Sequence, residues 1–269
     1  MGKRIKNFIS SCLLAVLVAF TACIGGGVPS DGLTITLQAD PSSVFTDKET
    51  KIFLDVANND VKTYENIVVE IFDMGIMTGP ACSDSKPELR PGNLFTKQCS
   101  LKAPSTLTTP AFRNSINARA IYDTKVSGIT TVQAMTEDEY NRLSYAGKLF
   151  SLPLSKSFSD KNILAQVDFD ENPYVYTAVG RKLFMHIKIF NIGNGFVEQI
   201  KLDPARDIVD KSSIVNCGNS AALRPVGKEF PTITCELTPA PARIESYDIG
   251  LTIRYTYDVR TSAVVDIVR

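Results

Sequence analysis

The chain has 269 residues, 44% of them hydrophobic and 22% charged, a globular balance that excludes a disordered or collagen-like polymer. Lys+Arg and Asp+Glu both number 29, so there is no basic field for nucleic acid, and no nucleic-acid partner is expected. Three of the cations, Lys3, Arg4 and Lys6, stand at the very start, which leaves the remainder slightly acidic.

That cationic start opens into an apolar stretch, Phe8 to Ala22, relieved only by Ser10, Ser11 and Thr21. The stretch is short for a bilayer span, which takes roughly 20 apolar residues, and suits the core of a secretory signal. It runs into Phe20-Thr21-Ala22-Cys23, with Gly25, Gly26 and Gly27 close behind. Phe20 to Cys23 resembles the lipobox of lipoprotein signal peptides, where small residues precede a cysteine that becomes the lipid-modified first residue. "CIGGG" is similar to the start of some archaeal surface lipoproteins. The resemblance implies a signal peptide over 1–22, lipid attachment at Cys23, and a place on the extracytoplasmic face of the cell membrane. An ordinary cleaved signal and a retained anchor helix are the alternatives. Residues 23–32 read as a flexible Gly-rich tether.

Residues 33–135 carry short runs of period two: "LTITLQA", "KIFLDVAN", "NIVVEIFD", "SINARAIY" and "GITTVQA". Alternation of this kind, punctuated by Gly, Pro, Asn and Asp, predicts half-buried antiparallel strands. Next, Thr136 with Glu139 three residues on forms a capping box, and Tyr140 and Leu143 follow at helical spacing before Gly147. The segment 136–162 is thus expected to be a linker with a short helix over 137–146. Residues 163–269 return to strands: "NILAQVDF", "KLFMHIKIFN", "FVEQIKL", "TITCEL", "YDIGLTIRYTY" and "AVVDIV".

The two bodies repeat one another. Cys12 lies in the leader, and the remaining pairs Cys82/Cys99 and Cys217/Cys235 are 17 and 18 residues apart. Each pair encloses Leu-Arg-Pro, at Leu89-Arg90-Pro91 and Leu223-Arg224-Pro225. Farther on, Arg119-x-x-Tyr122-Asp123 is echoed by Arg254-x-x-Tyr257-Asp258. Four cysteines allow three connectivities. In an exported protein this repeated context favours the local disulfides, Cys82–Cys99 and Cys217–Cys235. The expected fold is all-β: two tandem immunoglobulin-like or fibronectin type III-like antiparallel sandwiches joined by the helical linker. "FNIGNGFVEQI", Phe190 to Ile200, resembles a strand hairpin of the cell-adhesion-related domain of bacterial and archaeal surface proteins. Its Asn191, Gly193, Asn194 and Gly195 suit tight turns with positive φ. That resemblance implies fold and surface context and no activity.

Residues fit for chemistry are sparse. The one histidine, His186, falls in "KLFMHIKIF" on the strand face of Phe184 and Lys188, and no Gly-x-Ser-x-Gly elbow accompanies it. "DFDEN" offers Asp168, Asp170 and Glu171 as a weak calcium candidate, against the simpler reading of an acidic turn before Pro173. Tyr122 and Tyr257 are expected to close the sandwiches, with the neighbouring Arg and Asp towards solvent. Loops around Arg90, Pro91, Arg224 and Pro225 are candidate partner-facing surfaces, against the reading of stapled turns. The sequence therefore points to a non-catalytic envelope lipoprotein that binds or spaces surface components, with no cofactor. Its partners would be the membrane and unidentified envelope proteins or polysaccharides. The alternatives are a structural subunit that adds the strand Leu33–Ala39 to a neighbour's sheet, and an envelope hydrolase accessory module.

Overall fold

The structure, a computed structural model, describes residues 32–177, 181–210, 213–217 and 223–269. The leader and Cys23 lie outside the described residues. In chain order the strands of the first half are β1 (Leu33–Asp40), β2 (Ser43–Phe45), β3 (Glu49–Asn58), β4 (Tyr64–Asp73), β5 (Ser83–Leu89), β6 (Leu94–Lys102) and β7 (Ala111–Thr136). Helix α1 (Glu137–Tyr145) leads to β8 (Ser155–Ser159), β9 (Ile163–Phe169), β10 (Tyr174–Tyr176), β11 (Leu183–Asn191) and β12 (Phe196–Lys201). After a helical turn, Pro204–Asp207, come β13 (Ile208–Asp210), β14 (Val215–Asn216), β15 (Ile233–Leu237) and β16 (Ile244–Val268).

The expected β class holds, and the alternation that predicts it is what the strands bury. In β3, Ile52, Leu54 and Val56 are inside; in β11, Leu183, Met185, Ile187 and Ile189 are. The strands form three sheets: β1-β3-β6, β14-β15-β11-β9-β8, and an eight-stranded sheet built on β12-β16-β7-β4-β5. One hydrophobic core draws on all three.

Two strands dominate. β7 has 26 residues and β16 has 25, and they pair antiparallel without a break from Ile244↔Met135 to Val268↔Ala111. The early part of β7 lies beside β4, while its last residues pair in parallel with β10 of the second half. Conversely, β16 starts beside β13 and β12 and ends in parallel with β2 of the first half. Each long strand begins among its own copy's strands and finishes among the other's. The runs Ser115–Tyr122 and Gly128–Ala134, distinct in the sequence pattern, are one strand here. No turn intervenes because the parity never changes: Ala118, Ala120, Tyr122, Val126, Val132 and Ala134 all face inwards. The same continuity joins Tyr257 to Val265 and Ile267.

The two local disulfides form. Cys82, next to β5, bonds Cys99 in β6, which ties the eight-stranded sheet to the three-stranded one. Cys217 follows β14 and bonds Cys235 in β15 within the five-stranded sheet. Helix α1 starts as its capping box predicts, with the Thr136 hydroxyl accepting from the Glu139 N–H. Glu139 is pinned by Arg142, at 2.6 Å, and by Arg243, and these cations hold its carboxyl down at about 2.

The glycines of "FNIGNGF" serve a purpose other than the expected one. Neither Gly193 nor Gly195 has positive φ. They are small because the Tyr257 ring lies against them: a Cβ on Gly195 would sit 2.6 Å from Tyr257 Cε1 and 2.5 Å from the Asp258 carbonyl oxygen. The Gly195 N–H donates to the Tyr257 hydroxyl at 2.8 Å.

Candidate binding cleft at the centre of the ribbon

Register places like residues of the two copies opposite one another. Tyr122 pairs with Tyr257, so the local two-fold of the ribbon passes through this pair. Equivalent rows therefore flank it. On one side Arg119 faces Arg260; on the other, Lys125 faces Arg254. Odd positions of β7 and even positions of β16 point away from the core, which puts all four cations on the outer face.

The row at Arg119 is neutralised and covered. Arg119 Nε donates to Glu70 at 2.6 Å, and Arg260 reaches Asp258 at 2.7 Å. Both guanidinium groups lie 5.6 Å from the Phe72 ring centre, and Arg260 is also 4.5 Å from that of Phe196. Asp258 is 4% exposed, contrary to the expected solvent position, because the two arginines close over it.

The row at Lys125 is open. β4 starts only at Tyr64, and beside that start a cleft of about 620 Å³ runs along β7. Its walls are Asp123, Thr124, Lys125 and Ser127 of β7, Arg254, Tyr255 and Thr256 of β16, Lys62 and Thr63 just before β4, Glu65 within it, and Arg206. Where β4 offers Glu70 to Arg119, the equivalent register partner of Arg254 is Lys201 on β12.

Around that row the charges are unevenly shared. Asp207 is fully buried and serves both Arg254 and Arg206, the latter at 3.2 Å, while its other oxygen accepts from the Asp203 N–H. Asp123 is occupied by Asn66 at 2.8 Å and Thr256 at 2.7 Å. Lys62 bridges to Asp160 at 2.9 Å, and Asp160 also accepts from the Tyr255 hydroxyl and two backbone N–H groups. Burial, and then the Asp160 charge, push the Tyr255 hydroxyl well above the usual phenol range, so it stays a donor. Lys125 is exposed and has no ion pair among the described residues. Like charges facing each other across a sheet are destabilising.

The other sequence candidates are placed as follows. Asp168, Asp170 and Glu171 do not converge: Lys188 lies 2.8 Å from Asp168, His186 3.0 Å from Asp170, and Arg181 3.4 Å from Glu171. Burial raises the Asp168 carboxyl, and hydrogen bonds from Lys188, Ser155 and Gln166 outweigh it and hold it at about 2. Among the described residues no group of three or more His, Cys, Asp or Glu could hold a metal ion. Arg90, Pro91 and Arg224 are exposed and Pro225 half-buried, with Arg90 paired to Glu88 at 2.7 Å. Tyr122 and Tyr257 are buried as expected.

Sequence reasoning missed the cleft, though one signal was present. The repeat is longer by two residues than the motif noted above: Arg-x-x-Tyr-Asp continues to Lys125 in one copy and Arg260 in the other. The chain matches no protein-family model, and a search of curated proteins finds no match. No described helix is long and apolar enough to cross a membrane.

Proposed function

We propose that the chain is an exported lipoprotein, held at the extracytoplasmic face of the cell membrane through Cys23. Its two halves are immunoglobulin-like sandwiches that have exchanged their last strands. Together they make one stiff, non-catalytic module that binds or spaces other surface components. The observation that carries this reading is the pair of local disulfides, since such bonds persist in oxidising compartments and are rare in the cytosol. The lipobox-like Phe20 to Cys23 supplies the attachment. Acyl chains contribute about 0.8 kcal/mol per buried methylene, and two chains hold stably where one does not.

Fractionation of the native cells tests the proposal. Wild-type protein is expected in the membrane fraction, digestible by protease added to intact cells, with mass spectrometry showing acylated Cys23 and no free thiols. Cys23→Ala is expected to release it. Reduced, cytosolic protein that retains Met1 would refute the reading. A second role, as a subunit that extends a neighbour's sheet, is favoured by β1, which among the described residues pairs with β3 alone and stands at the end of its sheet.

A further inference from the structure

We infer that the cleft along β7 binds an acidic saccharide unit, with its carboxylate on Lys125 and Arg254. This deepens the binding role proposed above and rests on it for biological context only. Two equivalent rows of paired cations exist on one ribbon face. In the first, Glu70 and Asp258 neutralise Arg119 and Arg260, and two phenylalanine rings cover them. In the second, one buried carboxylate, Asp207, serves two arginines. Arg254 thus has its counter-charge on the buried side, in Asp207, while the Lys125 that faces it has no ion pair among the described residues. An oxyanion seated between them removes their repulsion, and charge-assisted hydrogen bonds to a carboxylate are among the stronger ones available.

The rest of the lining selects the class of anion. Glu65 and Asp123 share the walls with the cations, and they repel a densely charged phosphate or sulfate chain. The same carboxylates, with the hydroxyls of Thr63, Ser127 and Thr256, suit a ligand with many hydroxyl groups and one negative charge per unit. A uronic acid has that pattern. The volume, about 620 Å³, falls in the range of pockets that enclose small organic ligands. Arg254 is fixed for the task by buried Asp207, whereas Lys125 is the free, exposed arm.

Calorimetric titration of the full chain with a uronic-acid trisaccharide tests the assignment. Binding is expected, weakening as salt is raised, and falling about tenfold in Lys125→Gln, as for loss of one charge-assisted bond. Arg113→Gln, at the far end of the ribbon, should bind as wild type and serves as the control for surface charge. A neutral trisaccharide should not bind. Failure of the uronate to bind, equal binding by Lys125→Gln, or equal affinity for acetate or sulfate alone would each overturn the inference. None of these outcomes depends on where the protein resides, so the cell fractionation stands or falls separately.

Discussion

Tyr122 and Tyr257 occupy the same position in the two copies and meet each other across the ribbon, ring centres 5.8 Å apart. Their environments differ. The Tyr257 hydroxyl accepts from the Gly195 N–H, while that of Tyr122 accepts from Asn162 at 3.3 Å. Tyr64 packs edge-on to Tyr122 at 4.8 Å, and Tyr255 lies 6.1 Å from Tyr257. Removing either central ring is expected to cost about 3–5 kcal/mol, the usual range for an aromatic-to-alanine change in a core. Tyr257→Phe should cost about 1–3 kcal/mol, because it orphans a buried N–H, and Tyr122→Phe less. Urea denaturation midpoints measure all three.

Gly195→Ala is expected to destabilise by about 1–3 kcal/mol, since the new methyl meets the Tyr257 ring and a carbonyl oxygen at contact distances no side chain accepts. Gly92→Ala is a useful comparison. Its φ is +73° but nothing lies within 4 Å of the added Cβ, so only backbone strain of about 1 kcal/mol is predicted. Thermal denaturation of both variants separates packing from conformation.

Acid should unfold the protein late. As pH falls below the ordinary carboxylate range the unfolded chain takes up protons first, while folded Glu139 and Asp168 stay charged down to about 2. Their contribution is complete above that range and is lost as pH falls towards 2. Glu139→Gln and Asp168→Asn should each flatten the slope of stability against pH in this window, as read by chemical denaturation at stepped pH.

Each disulfide closes a short loop, with separations of 17 and 18 residues, and is expected to contribute about 3 kcal/mol on the chain-entropy account. Replacing Cys82 and Cys99 together with alanine should loosen the attachment of β6 to the large sheet. Hydrogen exchange would show faster opening of β5 and β6 than of β15 in that variant.

A fragment of residues 32–147 holds β7 but lacks the strand that pairs with it throughout. Such an unpaired edge seeks a partner, and the copy-to-copy likeness at Tyr122 offers one in a second fragment. Light scattering is expected to report a symmetric dimer, and a stable, well-folded monomer would count against the ribbon as the organising element.

Much of this fold was legible. Alternation marked β1, β3, β4, β7, β9, β11, β12, β15 and β16 and left the short or polar strands such as β5 and β8 unmarked, the capping box marked α1, and the repeated Leu-Arg-Pro context selected the disulfides. The fusion of strands was harder to see. Asp123-Thr124-Lys125 and Asp258-Val259-Arg260 are polar enough to pass for turns, and only the unbroken parity of the inward residues argues otherwise. The cleft was less legible still, because Lys125 and Arg254 are distant in sequence and become neighbours only through register across the two copies. The role of Gly195 was misread for a similar cause: its constraint comes from Tyr257, far along the chain, and not from its own turn.

The chain between α1 and β8 is exposed at Lys148 and around Pro153 and belongs to none of the strands that interlock the halves. Covalent continuity there is dispensable once folding is complete. A protease that nicks this crossing would leave two polypeptides in native embrace, still co-migrating and separable only by denaturant.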